Sequence, residues 1–135
     1  PAEDRGGEDS FSLVPAFKGG DHTDRETLIS HSIGGSFAIR EGDWKLCLSA
    51  GSGGWSAPRE PDAKKQNLPP MQLYNLKSDR GERKNLIDVH PDRVSSLLKS
   101  LNNEVSNGRS TPGKPVSNDR DVTFLPKGVS LPAGE

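Results

Sequence analysis

Cys47 is the only cysteine in the chain, so no internal disulfide can staple the fold and no multi-cysteine metal site can form. It sits between Leu46 and Leu48 in an alternating run, the setting of a small buried hydrophobe rather than a nucleophile. Aromatic residues are 5% and hydrophobic residues 30% of 135, which limits the chain to one domain with a core small for its length. No apolar run is long enough to span a bilayer, and no charged-then-apolar start resembles a signal peptide. A formal net charge of -1 gives no electrostatic footprint for nucleic acid or an anionic membrane. His22 and His90 have no companion at metal-ligand spacing.

Glycine (15) and proline (11) are abundant instead, and they concentrate between the periodic segments. In "DSFSLVPAFKG", Asp9 or Ser10 suits the cap of a short helix that turns Leu13, Val14 and Phe17 inward, ended by Gly19-Gly20. "ETLISHS" reads as a strand. "SFAIREGDWKLCLS" alternates through Phe37, Ile39, Trp44, Leu46 and Leu48 around Glu41-Gly42-Asp43, the pattern of an antiparallel hairpin with one buried face. From Ala50 to Pro70 the glycines and prolines predict a long loop with no regular element. "MQLYNL" resumes as a strand with Met71 and Leu73 on one side and Gln72, Tyr74 and Leu76 on the other.

A helix follows. Pro91 suits its first position, Asp92 its positive end and Gly108 a left-handed cap, while Val94, Leu97, Leu98, Leu101 and Val105 form one stripe. Beyond it the chain alternates prolines with isolated apolar residues, an extended tail that is mobile or laid across a partner. The expected fold is α+β: a small antiparallel sheet of about four strands with one C-terminal amphipathic helix packed on one face. Its expected division is 1–25 as linker and short helix, 26–108 as the folded unit and 109–135 as tail. The sheet face away from the helix is expected to be apolar, with Leu28, Trp44 and Tyr74 as its candidates.

The stretch "LYNLKSDRGERKNL" places a charged knot between apolar anchors. Asp79 suits a local turn hydrogen bond, Gly81 a positive φ and Glu82 contact with backbone amides, while Leu76 and Leu86 pin the two ends to the core. This reads as a structural corner made by Asp79, Gly81, Glu82, Asn85 and Leu86. Three residues are candidates for contact with a ligand. His31 lies beside Gly34-Gly35, which permit close backbone approach; Arg40 is a cation on the hairpin; Trp55 in "GSGGW" offers an apolar ring face. Each also has a bland reading, as a strand histidine, a solvated cation with Lys45, and a loop anchor.

The succession "EDS", "HSIGGSFAIREGDWKL", "GSGGW", "LYNLKSDRGERKNL", helix and "GRSTPG" resembles the C-terminal subdomain of the formylglycine-dependent sulfatases, the arylsulfatase A-like and N-acetylgalactosamine-6-sulfatase-like group. The likeness runs from about Glu8 to Gly113. Asn75 and Arg80 stand where the family usually has aspartate and proline, while Asp79, Gly81, Glu82, Asn85 and Leu86 match. The resemblance implies a parent enzyme that hydrolyses sulfate esters, of sulfated carbohydrates, and that is often exported to the periplasm or beyond. It places the nucleophile and calcium cage in an N-terminal catalytic domain, the expected partner. The cysteine-x-proline/serine-x-arginine motif is absent here, because Cys47 is followed by Leu48-Ser49-Ala50-Gly51. No catalytic residue, metal or cofactor is therefore expected in this chain, which begins as if in the middle of something larger. Two further readings stay open: a free-standing carbohydrate-binding module, for which His31, Arg40 and Trp55 must converge on one exposed face, and an independent hydrolase, for which no nucleophile and base are in a recognised arrangement.

Overall fold

The computed structural model describes residues 9–20 and 25–132. His22 and the first eight residues lie outside them. The element order is α1 (Val14–Phe17), β1 (Thr27–His31), β2 (Phe37–Glu41), β3 (Trp44–Cys47), α2 (Glu60–Lys65), β4 (Gln72–Asn75) and α3 (Pro91–Asn107). The strands form one sheet in the order β1-β2-β3-β4, each neighbouring pair antiparallel, as short links between consecutive strands require. The fold is α+β, with α3 on one face of the meander.

The hairpin register pairs Glu41 with Trp44 across a two-residue turn. Gly42 opens that turn at φ 57, a backbone state glycine adopts without the steric cost of a side chain. This register fixes the faces. Ile29, Ile39, Leu46 and Leu73 fall on the α3 side and meet Val94, Leu97, Leu98 and Leu101, with Leu48 and Met71 completing the cluster. Ile39, Leu46, Leu73, Leu97 and Leu101 are fully buried. Each such side chain contributes about 1.5–3 kcal/mol relative to exposure.

α3 starts at Pro91, with Asp92 in its first turn, and ends at Gly108 (φ 63). The amides of Gly108 and Arg109 donate to the carbonyls of Val105 and Glu104, a Schellman closure that satisfies two orphan carbonyls. A Cβ on Gly108 would lie 2.1 Å from the Val116 carbonyl oxygen, so the tail passes too close for any other residue. Beyond that point Phe124, Leu125 and Val129 pack on the chain's own core. Arg109 is buried and donates to the Thr111 and Lys114 carbonyls and the Thr111 hydroxyl, so its guanidinium shapes the tail's first turn.

Several expectations are corrected. α1 buries none of its residues: Leu13 and Val14 are half exposed and Phe17 is 83% exposed. Neither Asp9 nor Ser10 caps it; Leu13 holds that position without a side-chain bond. The 50–70 segment contains α2, where Ala63 is fully buried and Gly51 donates its amide to the Glu60 carboxylate. Six residues with one buried apolar side chain leave no periodicity to detect. The sheet face away from α3 is not an apolar patch. Trp44 lies on the α3 side, with its ring against His90 at 5.0 Å and under Arg93, and Tyr74 is only 7% exposed. Of the three candidates Leu28 alone is exposed on that face, beside Ser30, Ala38, Arg40, Lys45 and Glu82.

Candidate functional site

The corner after β4 is built from polar side chains acting as backbone. β4 is the last strand, and its outward groups face the 85–87 segment rather than solvent. Leu73 donates its amide to Asn85 Oδ1 (2.9 Å), Asn85 Nδ2 donates to the Met71 carbonyl (3.3 Å), and Leu86 returns its amide to the Leu73 carbonyl (2.8 Å). The sheet edge is thereby closed without a fifth strand. Asp79 Oδ2 accepts the amides of Arg83 (2.7 Å) and Lys84 (2.9 Å). The Lys84 amide, then those of Arg83 and Gly81, hold the Asp79 carboxyl below its ordinary value against the opposing effect of desolvation.

Two details of this corner differ from expectation. The positive φ falls on Glu82 (φ 52), not on Gly81. That conformation aims the Glu82 carboxylate away from the local amides and at Lys45 Nζ, which donates to both oxygens at 2.7 and 3.0 Å. Leu76 is not in the core; its amide donates to Asp43, and its side chain lines the opposite face with Lys45 and Glu82. Leu86 does pack on the core.

The candidate ligand-binding residues are spread over the sheet. His31 ends β1 on the α3 side, exposed, with its ring 5.9 Å from that of Phe37. It lines a cleft of about 380 Å³ between β1 and the C-terminal end of α3, shared with Arg25, Ile29, Phe37, Glu104 and Ser110. Trp55 is 76% exposed in a loop whose Gly53 abuts the β1–β2 turn, where an added Cβ would meet Ser32 at 3.2 Å. His31 and Trp55 thus belong to the same end of the sheet. Arg40 projects from the other face and donates to the Gly42 carbonyl. The single converging face that a free-standing module requires is not formed by these three.

The polar residues of the cleft are committed to one another. Arg25 donates to the Asp9 and Thr27 carbonyls and lies over the Phe11 ring; Ser110 donates through both amide and hydroxyl to Asp9 Oδ1; Thr27 donates its hydroxyl to Glu104 Oε1. Burial pushes the Glu104 carboxyl upward, opposed by the Thr27 hydrogen bond, and Oε2 is buried without a partner. Local sequence could not reveal this cluster, since its members are up to 101 residues apart. Cys47 is half-buried and burial pushes its thiol up, with Lys45 opposing, so it lacks thiolate character. Among the described residues no three His, Cys, Asp or Glu side chains group to hold a metal ion.

No family model matches the chain, and no curated protein does. Among solved structures it is similar to a Bacteroides thetaiotaomicron sulfatase described with that bacterium's metabolism of multiple glycosaminoglycans, at 26% identity and a TM-score of 0.58. The likeness covers 76% of this chain and 21% of that one, so the chain corresponds to about a fifth of that protein's length.

Proposed function

We propose that the chain is the C-terminal subdomain of a sulfatase acting on sulfate esters of carbohydrates, without a nucleophile of its own. The observation that supports this is the likeness to the Bacteroides sulfatase over 76% of the chain. The catalytic portion of such an enzyme supplies the formylglycine and calcium; this chain supplies a stable platform and one wall of the substrate cleft. The end of the sheet that carries His31 and Trp55 is the wall that fits this role, since both are exposed there beside glycines. Arg40, on the other face, is the less suited of the three.

The test has two arms. Purified chain, supplied with calcium and the maturing enzyme, is assayed for sulfate release from an aryl sulfate and from sulfated glycosaminoglycan fragments; none is expected. The chain is also exchanged for the matched region of the Bacteroides sulfatase. A folded chimera that releases sulfate, and loses kcat/KM on His31→Ala or Trp55→Ala, supports the proposal. Turnover by the chain alone, or a folded chimera with none, overturns it.

A further inference from the structure

The two edges of the sheet are treated differently. The β4 edge is closed by Asn85 and Leu86. At the other edge, Ser32 donates its amide to the Ser36 carbonyl (2.9 Å), and the register continues as Ser30↔Ala38 and Leu28↔Arg40. Antiparallel pairing alternates, so Leu28 and Ser30 turn their backbone groups toward β2 while Thr27, Ile29 and His31 turn theirs outward. Arg25 takes the outward Thr27 carbonyl at 3.4 Å. The outward amides and carbonyls of Ile29 and His31 have no hydrogen-bond partner among the described residues. The strand Thr-Leu-Ile-Ser-His carries no charge and no proline, the devices that ordinarily blunt an edge, and Leu28 is 48% exposed on it.

We propose that β1 is a self-pairing edge: two copies of this chain join β1 to β1, antiparallel, about a twofold axis through Ile29. The strand is self-complementary in that register. Ile29 of each copy faces its equivalent with outward backbone groups, giving a reciprocal hydrogen-bonded pair, and Thr27 of one copy lies opposite His31 of the other. Leu28 falls beside Ser30, and Glu26 opposite Ser32, so no like charges meet. The Ile29 side chains come together on the α3 side, over the cleft that Ile29 and Phe37 already line. The pairing does not depend on the sulfatase reading.

Light scattering on the purified chain over a concentration series, with amide exchange at each concentration, tests this. The mass is expected to rise toward twice that of the monomer, and exchange of the Ile29 and His31 amides to slow about tenfold or more as it does. Ile29→Pro removes one outward amide and leaves the β1–β2 bonds in place, so it is expected to stay monomeric with the far-ultraviolet spectrum unchanged. A monomer at every concentration, or a dimer in which those two amides stay unprotected, overturns the proposal; so does a folded Ile29→Pro chain that still dimerises. Should that variant not fold, exchange in the unaltered chain decides.

Discussion

Asn85 and Leu73 are twelve residues apart, yet the Asn85 carboxamide oxygen sits 2.9 Å from the Leu73 amide nitrogen, where the carbonyl of a fifth strand would otherwise stand. The same oxygen accepts the Ile87 amide at 3.0 Å, and the carboxamide nitrogen donates to Met71. One side chain thus serves three backbone groups.

Asn85→Ala is expected to cost about 2–4 kcal/mol, since it strands partly buried amides as well as removing bonds. Asn85→Asp keeps an acceptor and loses the donor, so it should recover part of that loss near neutral pH. Urea unfolding of the three proteins checks the order; equal midpoints would remove Asn85 from the argument.

Leu97→Ala empties a fully buried position under the sheet and is expected to cost about 2–5 kcal/mol. A domain's whole stability is typically only about 5–15 kcal/mol, so thermal unfolding should shift by many degrees. Phe17→Ala is the matched control. With Phe17 83% exposed, a change within about 0.5 kcal/mol is expected.

Two carboxylates pull stability in opposite directions with pH. Asp79 is held down by its amide donors, so its contribution is present above the ordinary carboxylate value and is lost as pH falls through its lowered folded value. Glu104 is pushed up by burial, so its contribution is present below its ordinary value and is lost as pH rises through the raised one. Asp79→Asn should flatten the acid limb of a melting-temperature profile. Glu104→Gln should raise the plateau near pH 7, by removing a charge whose burial disfavours it, and change little near pH 4.

Cys47 should react slowly with a thiol reagent in the native chain and at the ordinary free-thiol rate in urea, because burial disfavours its thiolate. Equal rates in both states would show that the site opens freely.

What the sequence made legible follows the physics of each element. The α3 stripe, its Pro91 start and Gly108 stop, and the Gly42 hairpin are local signals, and each is where its residues put it. Leu13, Val14 and Phe17 had the composition of a buried turn, but whether four residues bury anything depends on what lies beside them. The corner was legible as a corner; which residue took the positive φ, and that Glu82 reaches across to Lys45, depended on a strand nearly forty residues earlier. The Asp9, Arg25, Glu104 and Ser110 cluster was invisible for the same reason, being made entirely by long-range folding.

The near-contact between Gly108 and the Val116 carbonyl fixes more than the end of a helix. Because the chain must cross α3 there before Phe124, Leu125 and Val129 reach the core, residues 108–129 behave as a strap buckled at one glycine. A strap of this kind sets where length can change. Insertions between Asn118, which donates to the Val105 carbonyl, and Phe124 slacken it, whereas a bulkier residue at the buckle or a cut after the helix releases three apolar side chains at once. The packed part of the chain therefore runs through Val129, about twenty residues past the last regular element.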